Sequence, residues 1–174
     1  MTCCVTGNRP SRFPFPRNES DPVYSLYQTM LFSQIELLIQ KGFTHFISGM
    51  ADGADLDFSR QVLILRERQK GILLEAALPF PVRPRKESTP YTEVRDTVLL
   101  QCDRKSTISP RYHPGCYERR NRYMVDHADL VLAIWNGEEK GGTWNTIEYA
   151  RSRGKPIQYL MLQDILSLHA RKSV

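Results

Sequence analysis

The chain has 174 residues, of which 41% are hydrophobic and 25% are charged, an ordinary composition for a globular protein with one core. No apolar run approaches the roughly 20 residues needed to cross a bilayer, and the first residues lack the basic start and apolar core of a signal peptide. We therefore expect a cytoplasmic protein with no membrane partner, built as one domain over residues 1–174. The net charge of +5 favours an anionic partner, although scattered Lys and Arg side chains are also typical of a solvated surface.

The four cysteines form no CxxC pair, which favours reduced thiols over a disulfide framework. His113, Cys116 and His127 lie close together in the sequence. Without a second tight pair of ligands, they indicate loop and helix-surface roles rather than a metal site. We expect no metal, and no motif identifies a cofactor.

Short β-rich runs alternate with helical patterns along the chain. A strand at residues 3–6 precedes a loop rich in Pro and Arg and then a helix at 23–41, where Leu31, Ile35 and Leu38 recur at helical spacing. Gly42 is a typical residue for the end of such a helix. A strand at 44–48, a helix at 54–69 and a strand at 72–78 follow, and Pro79 ends that strand.

The second half of the chain continues the alternation. A basic loop leads to a helix at residues 92–100, a short strand at 106–108 and a helix at 117–127. The continuous apolar run at 130–135 predicts an interior parallel strand that is covered on both faces. A helix at 143–153 and a strand at 157–161 close the pattern. Such βαβ units predict an α/β fold, a single Rossmann-like three-layer domain with a mainly parallel sheet of about six strands.

Ligands of such sheets bind beyond the carboxyl ends of the strands, so the loops at those ends are the candidate ligand-binding segments. After the first strand, Gly7 permits a tight turn and Arg9 offers a planar cation that suits phosphate or carboxylate. A plain turn with an exposed arginine is the alternative. The candidates in this loop are Thr6, Gly7, Asn8 and Arg9.

The loop after the second strand is rich in small residues, so its backbone N–H groups can converge on an anion. It is not a P-loop, because no GKS or GKT follows. Asp52 or Asp55 would cap the next helix, or Asp55 would accept a hydrogen bond from a ribose hydroxyl. The candidates here are Ser48, Gly49, Met50, Ala51, Gly53 and Asp55.

A third glycine-containing loop lies between the strand at 130–135 and the next helix. Gly141 and Gly142 would let a ligand approach the helix N-terminus, where Thr143 caps the helix or binds a phosphate oxygen. Glu148 is a candidate acid or base, although the helix dipole also favours a carboxylate there. Trp135 would stack on a base or pack in the core. The candidates are Trp135, Gly137, Gly141, Gly142, Thr143, Thr146 and Glu148.

Together, five segments resemble the SLOG superfamily and, within it, the DUF1273 or YpsA-like group. The first four are TGNRP at 6–10, ISGMADGAD at 47–55, LPF at 78–80 and RRN at 119–121. The fifth spans 129–150 and contains DLVLAIWNG followed by GGTWNTIEYA. The resemblance covers most of the chain and implies a Rossmann-like fold with a ligand site at the ends of strands one, two and five. It adds Pro79, Phe80, Arg120 and Asn121 to the implied ligand-binding residues.

The same superfamily includes LOG-type phosphoribohydrolases and the DNA-processing protein DprA. The LOG enzymes carry PGGxGTxxE, whereas Trp144 and Asn145 replace the central Gly-Thr of that motif here and Glu148 keeps its offset. The loop after Phe80 lacks the Gln and Trp of YpsA-like relatives and carries Arg83, Arg85 and Lys86 instead.

The sequence therefore leaves three candidate functions open. The first is a module that binds or senses a nucleotide or nucleotide-derived ligand and passes its occupancy to a partner or to a homo-oligomer. The second is a nucleoside-monophosphate phosphoribohydrolase, in which Glu148 is the acid or base and Arg9 or Arg120 holds the phosphate. The third is a DprA-like protein that binds single-stranded DNA through residues 83–86 and 119–122.

Overall fold

The computed structural model describes residues 1–81 and 89–172. Within these ranges, strands and α-helices alternate as the sequence pattern predicts. The strands are β1 Thr2–Gly7, β2 His45–Ser48, β3 Leu73–Leu78, β4 Arg104–Thr107, β5 Leu130–Trp135 and β6 Ile157–Met161. The helices are α1 Pro22–Gln40, α2 Ala54–Arg68, α3 Pro90–Gln101, α4 Cys116–Asp126, α5 Gly141–Ser152 and α6 Leu162–Lys172, with a 3-10 turn at Pro10–Arg12.

The six strands form one parallel sheet in the order β4-β3-β2-β1-β5-β6, which confirms the predicted α/β fold. Cys4 of β1 pairs with Ile47 of β2 on one side and with Val131 of β5 on the other. The chain therefore adds strands outward from β1 in one direction as far as β4, and then crosses to the other side of β1. The strand order reverses between β1 and β5, where open α/β sheets form a crevice.

Helices cover both faces of the sheet and make a three-layer structure. Cys3 and Val5 point into the core that α1, α2, α3 and α6 share, whereas Cys4 points into the core beneath α4 and α5. β5 lies between β1 and β6 and is buried along nearly its whole length, as its apolar run predicts. Burial of each large aliphatic side chain contributes about 1.5 to 3 kcal/mol.

Local signals mark the helix ends. The carboxylate of Asp21 accepts hydrogen bonds from the backbone N–H groups of Val23 and Tyr24, at 2.8 and 3.0 Å, and Pro22 is the first residue of α1. Gly42 has φ +92° just beyond α1, in the left-handed region that a helix-ending glycine adopts. The predicted end of this helix is thus confirmed.

Several details differ from the sequence-based expectations. α6 was not predicted: it starts directly after β6, and its Leu162 and Ile165 are buried in the core shared with α1. β4 starts two residues earlier than the strand predicted at 106–108. The cap of α2 is Gly53, with no side-chain hydrogen bond, so neither Asp52 nor Asp55 caps this helix.

Among the described residues, no helix combines the length and the apolar character needed to cross a membrane.

Candidate ligand-binding site

The carboxyl ends of β1, β2 and β3 open into a cleft of about 690 Å³. Its walls come from these strand ends, from α3, from the connection between β4 and α4, and from α4 itself. This volume lies within the usual range for small-molecule sites. The cleft lies at the carboxyl ends of parallel strands, as the rule for open α/β sheets states, but beside β2 and β3 rather than between β1 and β5, where the strand order reverses. The lining consists of Arg9, Gly49, Met50, Ala51, Leu78, Pro79, Phe80, Pro81, Tyr91, Arg95, Pro110, Arg111, Tyr112, Tyr117 and Arg120.

Arginine supplies the charge of this cleft. Arg9 and Arg111 are exposed, whereas Arg95 and Arg120 are buried. The described lining residues include no Asp or Glu. Arg95 forms an ion pair with Asp96 at 2.7 Å, and Arg120 lies 3.8 Å from Asp55. Arginine side chains at the surface of a cleft suit an anionic ligand.

Arg120 lies near the start of α4 and is only 5% exposed. Its Nη1 donates to the carbonyl oxygen of Gly49 and lies 3.8 Å from Oδ2 of Asp55, while its Nε has no hydrogen-bond partner among the described residues. Burial lowers the pKa of Arg120, and the positive charge of Arg9 lowers it further. The negative charge of Asp55 raises this pKa but does not outweigh the other two effects. An anion beside Arg120 and Arg9 would relieve this unfavourable environment.

Asp55 lies behind Arg120. It is buried, and burial raises its pKa even though Arg120 opposes the shift. Its carboxylate accepts a hydrogen bond from the backbone N–H of Ala51 at 3.3 Å. Asp55 therefore positions Arg120 and the loop after β2, and it does not itself line the cleft.

The loop after β2 is fixed from both sides. Ser48 Oγ donates to the carbonyl oxygen of Asp55 and accepts from the N–H of Met50. The hydroxyl of Tyr91 donates to the carbonyl oxygen of Met50 at 3.0 Å. Met50 has φ +56°, a strained value for a residue other than glycine, and such strain concentrates at functional sites.

A second cavity, of about 140 Å³, lies between α4 and the start of α5. Asn121 Nδ2 donates to Thr146 Oγ1 at 2.9 Å, and this hydroxyl donates to the carbonyl oxygen of Gly142 at 2.8 Å. Tyr117 lines both this cavity and the larger cleft, so the two adjoin. A Cβ added to Gly142 would meet no atom within 4 Å. That Gly142 admits a ligand to the start of α5 stays a prediction.

The YpsA family model, described as the YspA SLOG family, matches residues 3–165. This chain belongs to that family. The match confirms the resemblance inferred from the five segments. A UPF0398 protein of Bacillus pumilus (strain SAFR-032) is 22% identical over 164 residues, which cover 92% of this chain and 88% of the relative.

Two relatives come from Bacillus subtilis (strain 168). The UPF0398 protein YpsA is 21% identical over 92% of both chains. The SPbeta prophage-derived protein YoqJ is 28% identical over 128 residues, covering 67% of this chain and 74% of the relative.

In this YpsA SLOG protein, the glycines after β1 and before α2 make room for protein atoms. A Cβ on Gly7 would collide with the Cβ of Ala54, and one on Gly53 would lie 2.5 Å from the carbonyl oxygen of Asn8. That carbonyl accepts from the N–H of Ala54, and Asn8 Oδ1 accepts from the N–H of Asn136 at 2.8 Å. The loops after β1, β2 and β5 thus meet at one edge of the sheet. Gly7, Asn8 and Gly53 lie at this meeting point, and Thr6 of β1 pairs with Ala133 of β5. None of these four predicted residues lines either cavity.

The structure does not bring the remaining predicted residues of the α5 region into either cavity. The side chain of Glu148 is 51% exposed and forms an ion pair with Arg151 at 2.8 Å. The ring of Trp135 stacks on that of Trp144, with 5.4 Å between the ring centroids. The Nε1 of Trp135 donates to the carbonyl oxygen of Glu138. Gly137, Gly141 and Thr143 also lie outside both cavities, Thr143 as a buried residue of the first turn of α5.

Sequence reasoning missed several residues of the cleft. Tyr91 and Arg95 lie one turn apart on α3, where no glycine motif marks a ligand loop. Arg111 and Tyr112 follow β4, so the rule of strand carboxyl ends, applied to that strand as well, would have found them. Arg83, Arg85 and Lys86 lie outside the described residues.

Two of the three residues considered as metal ligands contact oxygen atoms of the protein. His113 contacts the carbonyl oxygen of Pro114 and the hydroxyl of Ser109, and His127 contacts the carbonyl oxygen of Tyr123. Cys116 is a buried free thiol. Over residues 1–81 and 89–172, no group of three or more His, Cys, Asp or Glu side chains is arranged to hold a metal ion.

Proposed function

We propose that this protein binds a nucleotide or nucleotide-derived anion in the cleft at the ends of β1, β2 and β3. The observation that carries the proposal is the cleft's described lining, which has four arginines and no carboxylate. Guanidinium groups bind phosphate oxygens in bidentate geometry and keep their charge at physiological pH.

The location of Glu148 supports binding rather than hydrolysis of an N-glycosidic bond. Such hydrolysis needs an acid or base within hydrogen-bonding reach of the reacting atoms. Glu148 faces solvent beside Arg151, and the described cleft lining provides no other carboxylate. We therefore expect AMP to remain intact after incubation with the protein.

Isothermal titration with AMP, ADP and adenosine tests the proposal. The nucleotides should bind at least about tenfold more tightly than adenosine, because the uncharged nucleoside has no group for the arginines. The double variant Arg9→Gln/Arg111→Gln should weaken AMP binding at least about tenfold, since charge-assisted hydrogen bonds contribute about 1.5 to 3 kcal/mol each.

Arg119→Gln is the matched control, because Arg119 is exposed on α4 but lines neither cavity. It should change the affinity for AMP less than about twofold, the expectation for a charge without ligand contact. Absence of nucleotide binding at millimolar concentration, or equal losses in the control and the double variant, would show that the proposal is wrong.

A further inference from the structure

Three aromatic side chains form one wall of the cleft, which we call the aromatic wall: Phe80, Tyr112 and Tyr117. Phe80 follows β3, and its ring centroid lies 5.6 Å from that of Tyr112 and 5.9 Å from that of Tyr117. The interplanar angles are 89° and 77°, the edge-to-face arrangement that aromatic pairs prefer. Phe80 therefore contacts both tyrosine rings and joins them into one wall.

The two tyrosines expose much of their surface beside the cleft. Tyr112 is 64% exposed and Tyr117 is 46% exposed. Tyr91, on α3, differs from them: its hydroxyl donates to Met50, and the guanidinium of Arg95 lies 5.4 Å from its ring centroid. The aromatic wall thus offers ring surface to a ligand, whereas the hydroxyl and the ring of Tyr91 contact other residues of the protein.

The described lining of the cleft offers few kinds of side chain that read the edge of a base. Asn, Gln, Asp, Glu, Ser and Thr side chains read base edges, and Arg reads guanine. Of these types only arginine occurs among the described lining residues, and the arginines are the groups assigned to the anionic part of the ligand. Stacking on an aromatic ring is tolerant of base identity, because every base has a π face.

We infer that the aromatic wall stacks the base of a bound nucleotide without selecting among bases, so the ligand class is nucleotides as a group. The inference rests on the proposed function, since it needs a nucleotide in the cleft. The arginines hold the anionic part of the ligand, and the wall holds its ring. Loss of one stacked base weakens binding roughly 5- to 150-fold.

Titration of AMP, GMP, CMP, UMP and ribose 5-phosphate into the wild-type protein tests this division. The four nucleotides should bind with affinities within about tenfold of one another, and ribose 5-phosphate should bind at least about tenfold more weakly. Preference for one base by more than about tenfold would overturn the inference, because such selection requires edge recognition.

The variant Tyr112→Leu/Tyr117→Leu tests the wall directly, because leucine keeps apolar bulk but removes the rings. It should bring the affinity for AMP down to that for ribose 5-phosphate, and change the latter less than about threefold. Tyr112→Phe/Tyr117→Phe should restore the affinity for AMP, because it restores the rings.

The outcomes separate the two proposals. If the nucleotides bind no more tightly than ribose 5-phosphate, or if the leucine variant binds AMP as the wild type does, the inference is wrong while an anion-binding cleft remains. If no nucleotide binds, the proposed function is wrong and the inference falls with it.

Discussion

Glu75 is a buried carboxylate in the middle of β3, on the sheet face that α4 covers. It is 1% exposed, and its oxygens lie 2.8 Å from the hydroxyl of Tyr123 and 2.9 Å from Nε2 of His45. Burial alone would raise the pKa of Glu75, but hydrogen bonds from His45, Ser106 and Tyr123 outweigh burial and lower the pKa to about 2. The folded protein therefore holds the charged form of this side chain.

This pKa predicts how stability depends on pH. The folded-state value of about 2 lies below the ordinary value of 4.5, so the unfolded chain binds the proton more readily. The stabilisation is fully present above about pH 5 and is lost as the pH falls from 4.5 to 2. Glu75→Gln should lower the free energy of unfolding by about 2 to 3 kcal/mol at pH 7 and flatten its dependence in that window.

Urea denaturation between pH 2 and pH 7 measures both effects. Exposed Glu67 on α2 provides the control, and Glu67→Gln should change the free energy of unfolding by less than about 0.5 kcal/mol. Equal pH profiles for the wild type and Glu75→Gln would contradict the prediction.

At the scale of elements, small residues let the loop after β1 lie directly against the start of α2. A Cβ on Gly7 would collide with Ala54, and Gly53 has φ +97° with the Asn8 carbonyl oxygen against it. Gly142, at the start of α5, lacks both constraints. The same residue type thus has different roles in neighbouring loops.

Alanine substitutions at these glycines should separate the roles. Gly7→Ala and Gly53→Ala should each destabilise the fold by about 1 to 3 kcal/mol, through overpacking and through backbone strain. Gly142→Ala should leave the free energy of unfolding within about 1 kcal/mol of the wild type, on the stabilising side, because alanine favours a helix. Thermal and urea denaturation measure these differences, and an equal loss in all three variants would contradict the distinction.

The sequence contains a helix signal for α6 that the predictions did not include. Leu162, Ile165 and Leu166 recur at helical spacing after β6, so the signal was present in the sequence. The buried members of this set pack in the core shared with α1. Packing against α1 stabilises a helix of this length, since short isolated helices are marginal in water.

At the scale of the whole molecule, the cleft joins parts of the chain that are distant in sequence. Arg9, Gly49, Arg95 and Arg120 reach it from the loops after β1 and β2, from α3 and from α4. A ligand that contacts all of these segments should reduce their local opening together.

Hydrogen exchange with and without AMP tests this expectation. AMP should slow exchange at residues 49–51 and in the first turns of α3 and α4, while the exchange of α1 and α6 stays unchanged, because those two helices contribute no residue to the cleft. Protection confined to the first turn of α5 would instead place the ligand in the smaller cavity beside Gly142.

The alternation of strands and helices, the parallel sheet and the family could all be predicted from the amino-acid sequence. Apolar runs such as Leu130–Trp135 and a helix end such as Gly42 depend on local periodicity and backbone conformation, which neighbouring residues specify. The same reasoning directed attention to the loops at strand carboxyl ends, and Arg9 and Gly49 of those loops line the cleft.

The three-dimensional structure was needed to show which side chains line each cavity. On α5, Gly142 and Thr146 face α4, whereas Glu148 faces solvent beside Arg151, because each residue rotates about 100° along a helix. Arg95 and Arg111 carry no local motif, and they reach the cleft because α3 and the segment after β4 pack at its rim. Local patterns specify elements, but the contacts between elements decide which face of each one meets a ligand.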